Sequence, residues 1–188
     1  MESSQTSLRI LTEIKDYMLT YQRSNQLDVV GYTGSNFAGC QDSMKSTLRY
    51  IYLLAGCAVS WKSAKQSLII SSIMAAKFIA YYEASNHGIW LQKFFMGLRI
   101  VDGVDRPLKL FCDNKSAMLY SNNNRSWMKS KYINIKFLVL KERVQSGQLF
   151  MEHIDINSMT VDPLTKGLPR KLFHEHIAPI SIMSSKDI

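Results

Sequence analysis

Two aspartates stand where sheet enzymes keep metal-binding carboxylates. Asp113 follows the apolar run LKLFC, and Asp162 precedes Pro163 in TVDPLTKG. Phosphodiester hydrolysis by two metal ions needs several carboxylates on one spot, with the ions about 3.5–4 Å apart. Magnesium asks for hard oxygen ligands and keeps several of its waters. Such ligands belong at strand ends and helix starts. Four places therefore matter: the ends of the first strand and of LKLFC, and the starts of the long helix and of the last helix. The first strand ends in GYTGSN, with Gly34 and Asn36, and the long helix starts in SSIMAAKF, with Ala75 and Lys77. Two of the four places carry an acid and two do not. A plainer role is open to both acids, because Asp is a favoured helix cap and Asp-Pro an ordinary helix start.

Positive charge is the second chemical signal. Lys and Arg number 23 against 15 Asp and Glu, a formal net charge of +8 that favours a polyanionic partner. Arg125, Lys129, Lys131, Lys136, Lys141 and Arg143 are opposed only by Glu142, with Trp127 and Tyr132 interleaved. They suit a phosphate backbone, or a solvated helix face. Ser60, Trp61, Lys62, Lys65 and Gln66 are a second candidate contact with a sugar-phosphate strand, although Trp61 also reads as core.

Other chemistries are disfavoured. Cys40, Cys57 and Cys112 are widely spaced with no C-x-x-C pair, which argues against a disulfide framework and a zinc site and fits a reducing, intracellular setting. The two-residue spacing of His174 and His176 puts them on different helix faces, so they do not share a metal. His87 and His153 read as structural. The N-terminus has no basic region followed by an apolar core, so no secretory signal is expected. The most apolar stretch, 68–82, is broken by Ser71, Ser72 and Lys77 and falls short of the roughly 20 residues a membrane span needs.

The elements that must position these groups follow from periodicity. Residues 8–21 show helical spacing at Leu8, Leu11, Ile14 and Met18. Residues 28–39 begin as a strand and end in Gly and polar residues. TLRYIYLL (47–54) and CAVSWK (57–62), joined by Ala55-Gly56, read as a hairpin. Residues 71–98 form the strongest helix, capped by Ser71 or Ser72. Then come the strand LKLFC, a helix entered at Asp113, a helix over 131–146 stopped by Gly147, the strand LFMEHIDI (149–156) and a broken helix over 162–177. The last residues, SIMSSKDI, read as a frayed tail. Hairpins first and helical crossovers later predict an α/β fold, a mixed sheet covered by helices.

Five segments, in order, carry a family resemblance: KDYMLTYQRS (15–24), GYTGSNFAGC (31–40) with KST (45–47), LLAGCAVSWKSAKQS (53–67), LKLFCDNKSA (108–117) and DPLTKGLPRKLFHEHI (162–177). The chain resembles the ribonuclease H domain at the C-terminal end of the Pol polyprotein of copia-type LTR retrotransposons, especially plant ones. The resemblance implies a ribonuclease H-like fold with a mixed five-stranded sheet flanked by helices. It divides the chain into a connection remnant (1–27), the ribonuclease H-like domain (28–178) and a C-terminal tail (179–188), with the reverse transcriptase absent. The implied ancestral reaction is Mg²⁺-dependent cleavage of RNA in RNA–DNA hybrids, and the implied partner is hybrid or duplex nucleic acid, with no membrane and a monomeric state.

The family pattern places its four metal-binding acids at Gly34, Ala75, Asp113 and Asp162, so the resemblance implies that only Asp113 and Asp162 survive as catalytic and metal-binding residues. Neighbouring family acids fall on Asn36 and Lys77, and the histidine that aids product release falls on Tyr132. Each of the four acid losses is one base change from the family residue. Four carboxylates roughly neutralise two Mg²⁺; two leave about two positive charges uncompensated, and Lys77 adds another. Any Mg²⁺ held by Asp113 and Asp162 is expected to be weak, and hydrolysis to be lost. Restoring Gly34→Asp with Ala75→Glu is expected to recover some cleavage. The phosphate-binding residues expected to outlast that loss are Lys62, Lys65, Arg125, Lys129, Lys131 and Lys136. A non-catalytic nucleic-acid-binding module and a non-functional element remnant are the alternatives to an enzyme.

Overall fold

The computed structural model describes residues 17–21, 24, 27–37, 45–70, 72–99, 106–113, 131–155, 159–162, 171, 175–176 and 181–184. Strands β2 (Val29–Asn36), β3 (Thr47–Leu54) and β4 (Cys57–Lys65) form an antiparallel meander. Helix α1 (Ile73–Gly97) follows, then β5 (Leu108–Cys112), α2 (Lys131–Gln145) and β6 (Leu149–His153). The sheet order is β4-β3-β2-β5-β6, with β5 parallel to both β2 and β6. Parallel neighbours need crossovers, and α2 lies on the connection between β5 and β6. The expected mixed five-stranded sheet is therefore present.

Local chemistry explains the hairpin. Ala55 and Gly56 both have positive φ, 53° and 79°, as the tightest hairpin turns require. The alternation in TLRYIYLL then divides β3 between two faces. Tyr50 and Tyr52 join the core under α1, with Phe78, Tyr81, Leu108 and Leu110. Ile51 and Leu53 face the other way, onto Met159 and Val161. Leu19 and Ile182 pack on this second cluster.

Helix α1 is set by its cap and its small residues. Ser72 Oγ accepts from the Ala75 N–H at 3.2 Å. Ala76, Ala80, Ala84 and Gly88 let the helix lie close to the sheet. At Gly88 an added Cβ would come within 2.5 Å of Leu108 Cδ2 and of the Tyr52 hydroxyl. That hydroxyl donates to the Ala84 carbonyl at 2.7 Å.

Two expectations are corrected. Residues 17–19, predicted as the end of a helix, form strand β1 (Tyr17–Leu19); residues 8–16 lie outside the described residues. The tail expected to fray contains strand β7 (Ile182–Ser184), which pairs antiparallel with β1. Thr20 fastens this ribbon, its N–H and its hydroxyl both donating to the Ser181 carbonyl. Long-range pairing overrides the local period here, since a three-residue strand leaves almost no pattern to read.

Candidate metal centre and nucleic-acid interface

Gly34 lies in β2 directly opposite Arg49 in β3. Residues opposite each other on an antiparallel pair project to the same face. A Cβ at Gly34 would meet Arg49 Nε at 3.1 Å and Nη2 at 3.3 Å, so the guanidinium occupies the ground a side chain at 34 would use. Nη2 reaches Asp162 Oδ1 at 2.5 Å, with both residues buried. Burial pulls the Arg49 pKa down, and the charges of Asp162 and Asp113 pull it back up. The arginine thus sits in the field of both remaining acids.

Asp113 directly follows β5 and faces α1. Lys77 Nζ lies 3.1 Å from Asp113 Oδ1, with both side chains 14% exposed. The Tyr81 hydroxyl, one helical turn farther on, donates to the same oxygen at 3.5 Å. Burial first, then the charges of Cys112 and Asp113, drives the Tyr81 pKa far up, so the phenol stays a donor. Ala75 is buried on the first turn of α1 and Asn36 is exposed at the end of β2.

A second cluster gathers lysines. Lys62, Lys65 and Lys136 line one cavity of about 190 Å³ with Gln66 and Glu83. Lys136 bonds Glu83 Oε1 at 2.5 Å and lies 4.7 Å above the Tyr82 ring. Three lysines against one glutamate leave the cavity with two excess positive charges. Of the other residues expected to bind phosphate, Arg125 and Lys129 lie outside the described residues, and Lys131 opens α2.

No family model matches the chain. It is 32% identical over 143 residues to the retrovirus-related Pol polyprotein from transposon TNT 1-94 of Nicotiana tabacum, covering 76% of this chain and 10% of that one. It is 28% identical over 177 residues to the retrovirus-related Pol polyprotein from transposon RE1 of Arabidopsis thaliana, 93% of this chain and 12% of that one. The chain thus spans about a tenth of the length of the curated relatives it matches. Among solved structures, LC11-RNase H1 isolated from compost superposes with a TM-score of 0.53 at 16% identity, over 73% of this chain and 91% of that one. RNase H1 from the halophilic archaeon Halobacterium salinarum gives 0.51 at 13% identity, over 73% and 93%. This is a ribonuclease H-like domain related to retrotransposon Pol polyproteins.

A pair of divalent ions does not fit the centre of this ribonuclease H-like domain. Among the described residues no group of three or more His, Cys, Asp and Glu is placed to hold a metal. Gly34 and Ala75 offer no oxygen, Arg49 covers the first of them, and each remaining aspartate already has a cation against it. Of three other acids that could offer oxygens instead, Asp28 is bonded to Arg106 and Glu83 to Lys136, and Asp42 lies outside the described residues. Sequence reasoning found Lys77 but missed Arg49. Its one signal was an arginine in a mostly apolar strand; that it stands opposite Gly34 follows only from the β2–β3 register, which the folded pair sets.

His87 was expected in the core and is instead half-buried at its margin. Its Nε2 lies 2.7 Å from Ser60 Oγ, and its ring stacks on Tyr50 and Trp90 at 5.1 and 5.5 Å. Burial first, then the charge of Lys62, lowers its pKa. Trp61 is 54% exposed, so its reading as core is corrected. Alternation turns it away from that layer at the sheet edge.

Proposed function

We propose that this domain binds RNA–DNA hybrid or duplex through its basic surface and does not cleave it. The observation that carries the reading is the convergence of Lys62, Lys65 and Lys136 on one cavity. Those residues come from β4 and α2, far apart in sequence, and the sequence marked each of them as a backbone contact without placing them side by side. Lysines at such a surface attract phosphates without regard to base identity. The fold supports the choice of nucleic acid, because LC11-RNase H1 in complex with an RNA/DNA hybrid superposes with a TM-score of 0.51 at 18% identity, over 73% of this chain and 93% of that one. Its loss of cutting rests on Gly34 and Ala75, and on the pairing of Asp113 and Asp162 with protein cations. Among the described residues no helix is long and apolar enough to cross a membrane.

Fluorescence anisotropy with a labelled hybrid across a salt series tests the binding half. Affinity is expected to fall linearly in log K against log salt, with a slope near 0.9 per phosphate neutralised. Absence of binding at low salt would overturn it.

A further inference from the structure

We infer that Arg49 and Lys77 supply, from within the chain, the positive charge that a divalent pair would bring, so that this centre is closed to metal and folds without it. Three observations carry this, and none depends on nucleic-acid binding. The first is charge: two cations face two aspartates, Arg49 on Asp162 and Lys77 on Asp113, and the sum is zero. A centre already neutral offers a divalent ion no net attraction to offset the loss of its tightly held water.

The second is burial. Arg49 is 2% exposed and Asp162 4%. A charge taken that far out of water persists only with a partner, so neither side chain is at liberty to swing away and admit an ion. The third is space. The Arg49 guanidinium lies over Gly34, the position at which the family pattern sets its first acid. A carboxylate built there would land on Arg49 and pair with it. Putting the missing acids back is therefore not enough, contrary to the expectation drawn from sequence; the cations must also leave.

The test is manganese binding by calorimetry, with thermal melts in EDTA and in manganese, on three proteins: the native chain, Gly34→Asp with Ala75→Glu, and those two changes combined with Arg49→Ser and Lys77→Gln. The native chain and the two-acid variant are expected to give no binding heat and the same melting temperature with and without metal. The four-change variant is expected to bind manganese and to melt higher in its presence. Manganese uptake by the native chain or by the two-acid variant would overturn the inference, as would a folded four-change variant that ignores the metal. Should that last protein not fold, the first two still decide, because uptake by either contradicts a closed centre and silence in both upholds it.

Discussion

Arg49 Nη2 and Asp162 Oδ1 meet at 2.5 Å across 113 residues of sequence, and both side chains are buried. This bridge ties the second strand of the meander to the segment that covers the second face of the sheet. Breaking one side of a buried pair leaves an uncompensated charge, which typically costs about 3–5 kcal/mol. Arg49→Met is expected to lower unfolding free energy by about that much, read from the urea midpoint. Combining it with Asp162→Leu is expected to recover much of the loss, because both charges are then gone. A loss below about 1 kcal/mol in Arg49→Met would mean that the pair is not what anchors this segment.

The lysine cavity makes a different demand. Replacing Lys62, Lys65 and Lys136 together by alanine is expected to weaken hybrid binding and flatten its salt slope by about 0.9 for each phosphate that is no longer neutralised. The circular dichroism spectrum is expected to be unchanged, since Lys62 and Lys65 are exposed and Lys136 makes a partly solvated pair. An unaltered salt slope would move the interface elsewhere.

His87 gives a pH dependence with a definite sign. Its folded pKa lies below the ordinary 6.5, chiefly because burial disfavours the imidazolium. The unfolded chain therefore binds more protons here, and this contribution is present above about pH 6.5 and is lost as pH falls through the folded value. His87→Gln, which keeps a partner for Ser60, is expected to flatten the fall in denaturation midpoint between neutral and mildly acidic pH. Equal falls in the two proteins would exclude His87 as the source.

Gly88 is a packing prediction. A methyl there would meet Leu108 and Tyr52 at 2.5 Å, and both neighbours are fully buried. Gly88→Ala is expected to destabilise by about 1–3 kcal/mol even though alanine is the better helix former, because overpacking outweighs propensity. A stabilised variant would show that the helix can lift off the sheet at no cost.

Much of this was legible beforehand. The hairpin, the long helix with a serine cap at 71 or 72, strand β5, helix α2 and strand β6 all announced themselves by period and punctuation, because each is long or sharply bounded. The β1–β7 ribbon did not, since two strands of three residues carry no period and are chosen by what they cover. At the centre, the spacing of Asp113 and Asp162 and the intrusion of Lys77 could be read directly. The role of Arg49 could not: it depends on which residue faces Gly34, and register is a property of the folded pair. The sharing of one cavity by Lys62, Lys65 and Lys136 was likewise hidden, being a product of α2 packing on α1.

A gel that resolves both binding and cutting bears most directly on a ribonuclease H-like domain that holds hybrid without cleaving it. End-labelled RNA–DNA hybrid would be incubated with excess native protein in magnesium, and separately in manganese, at low salt. The expected result is a retarded band whose RNA strand, after denaturation, runs at full length in both metals. RNA fragments above the no-protein control, reproduced with independently purified protein and abolished by Asp113→Asn, would contradict it.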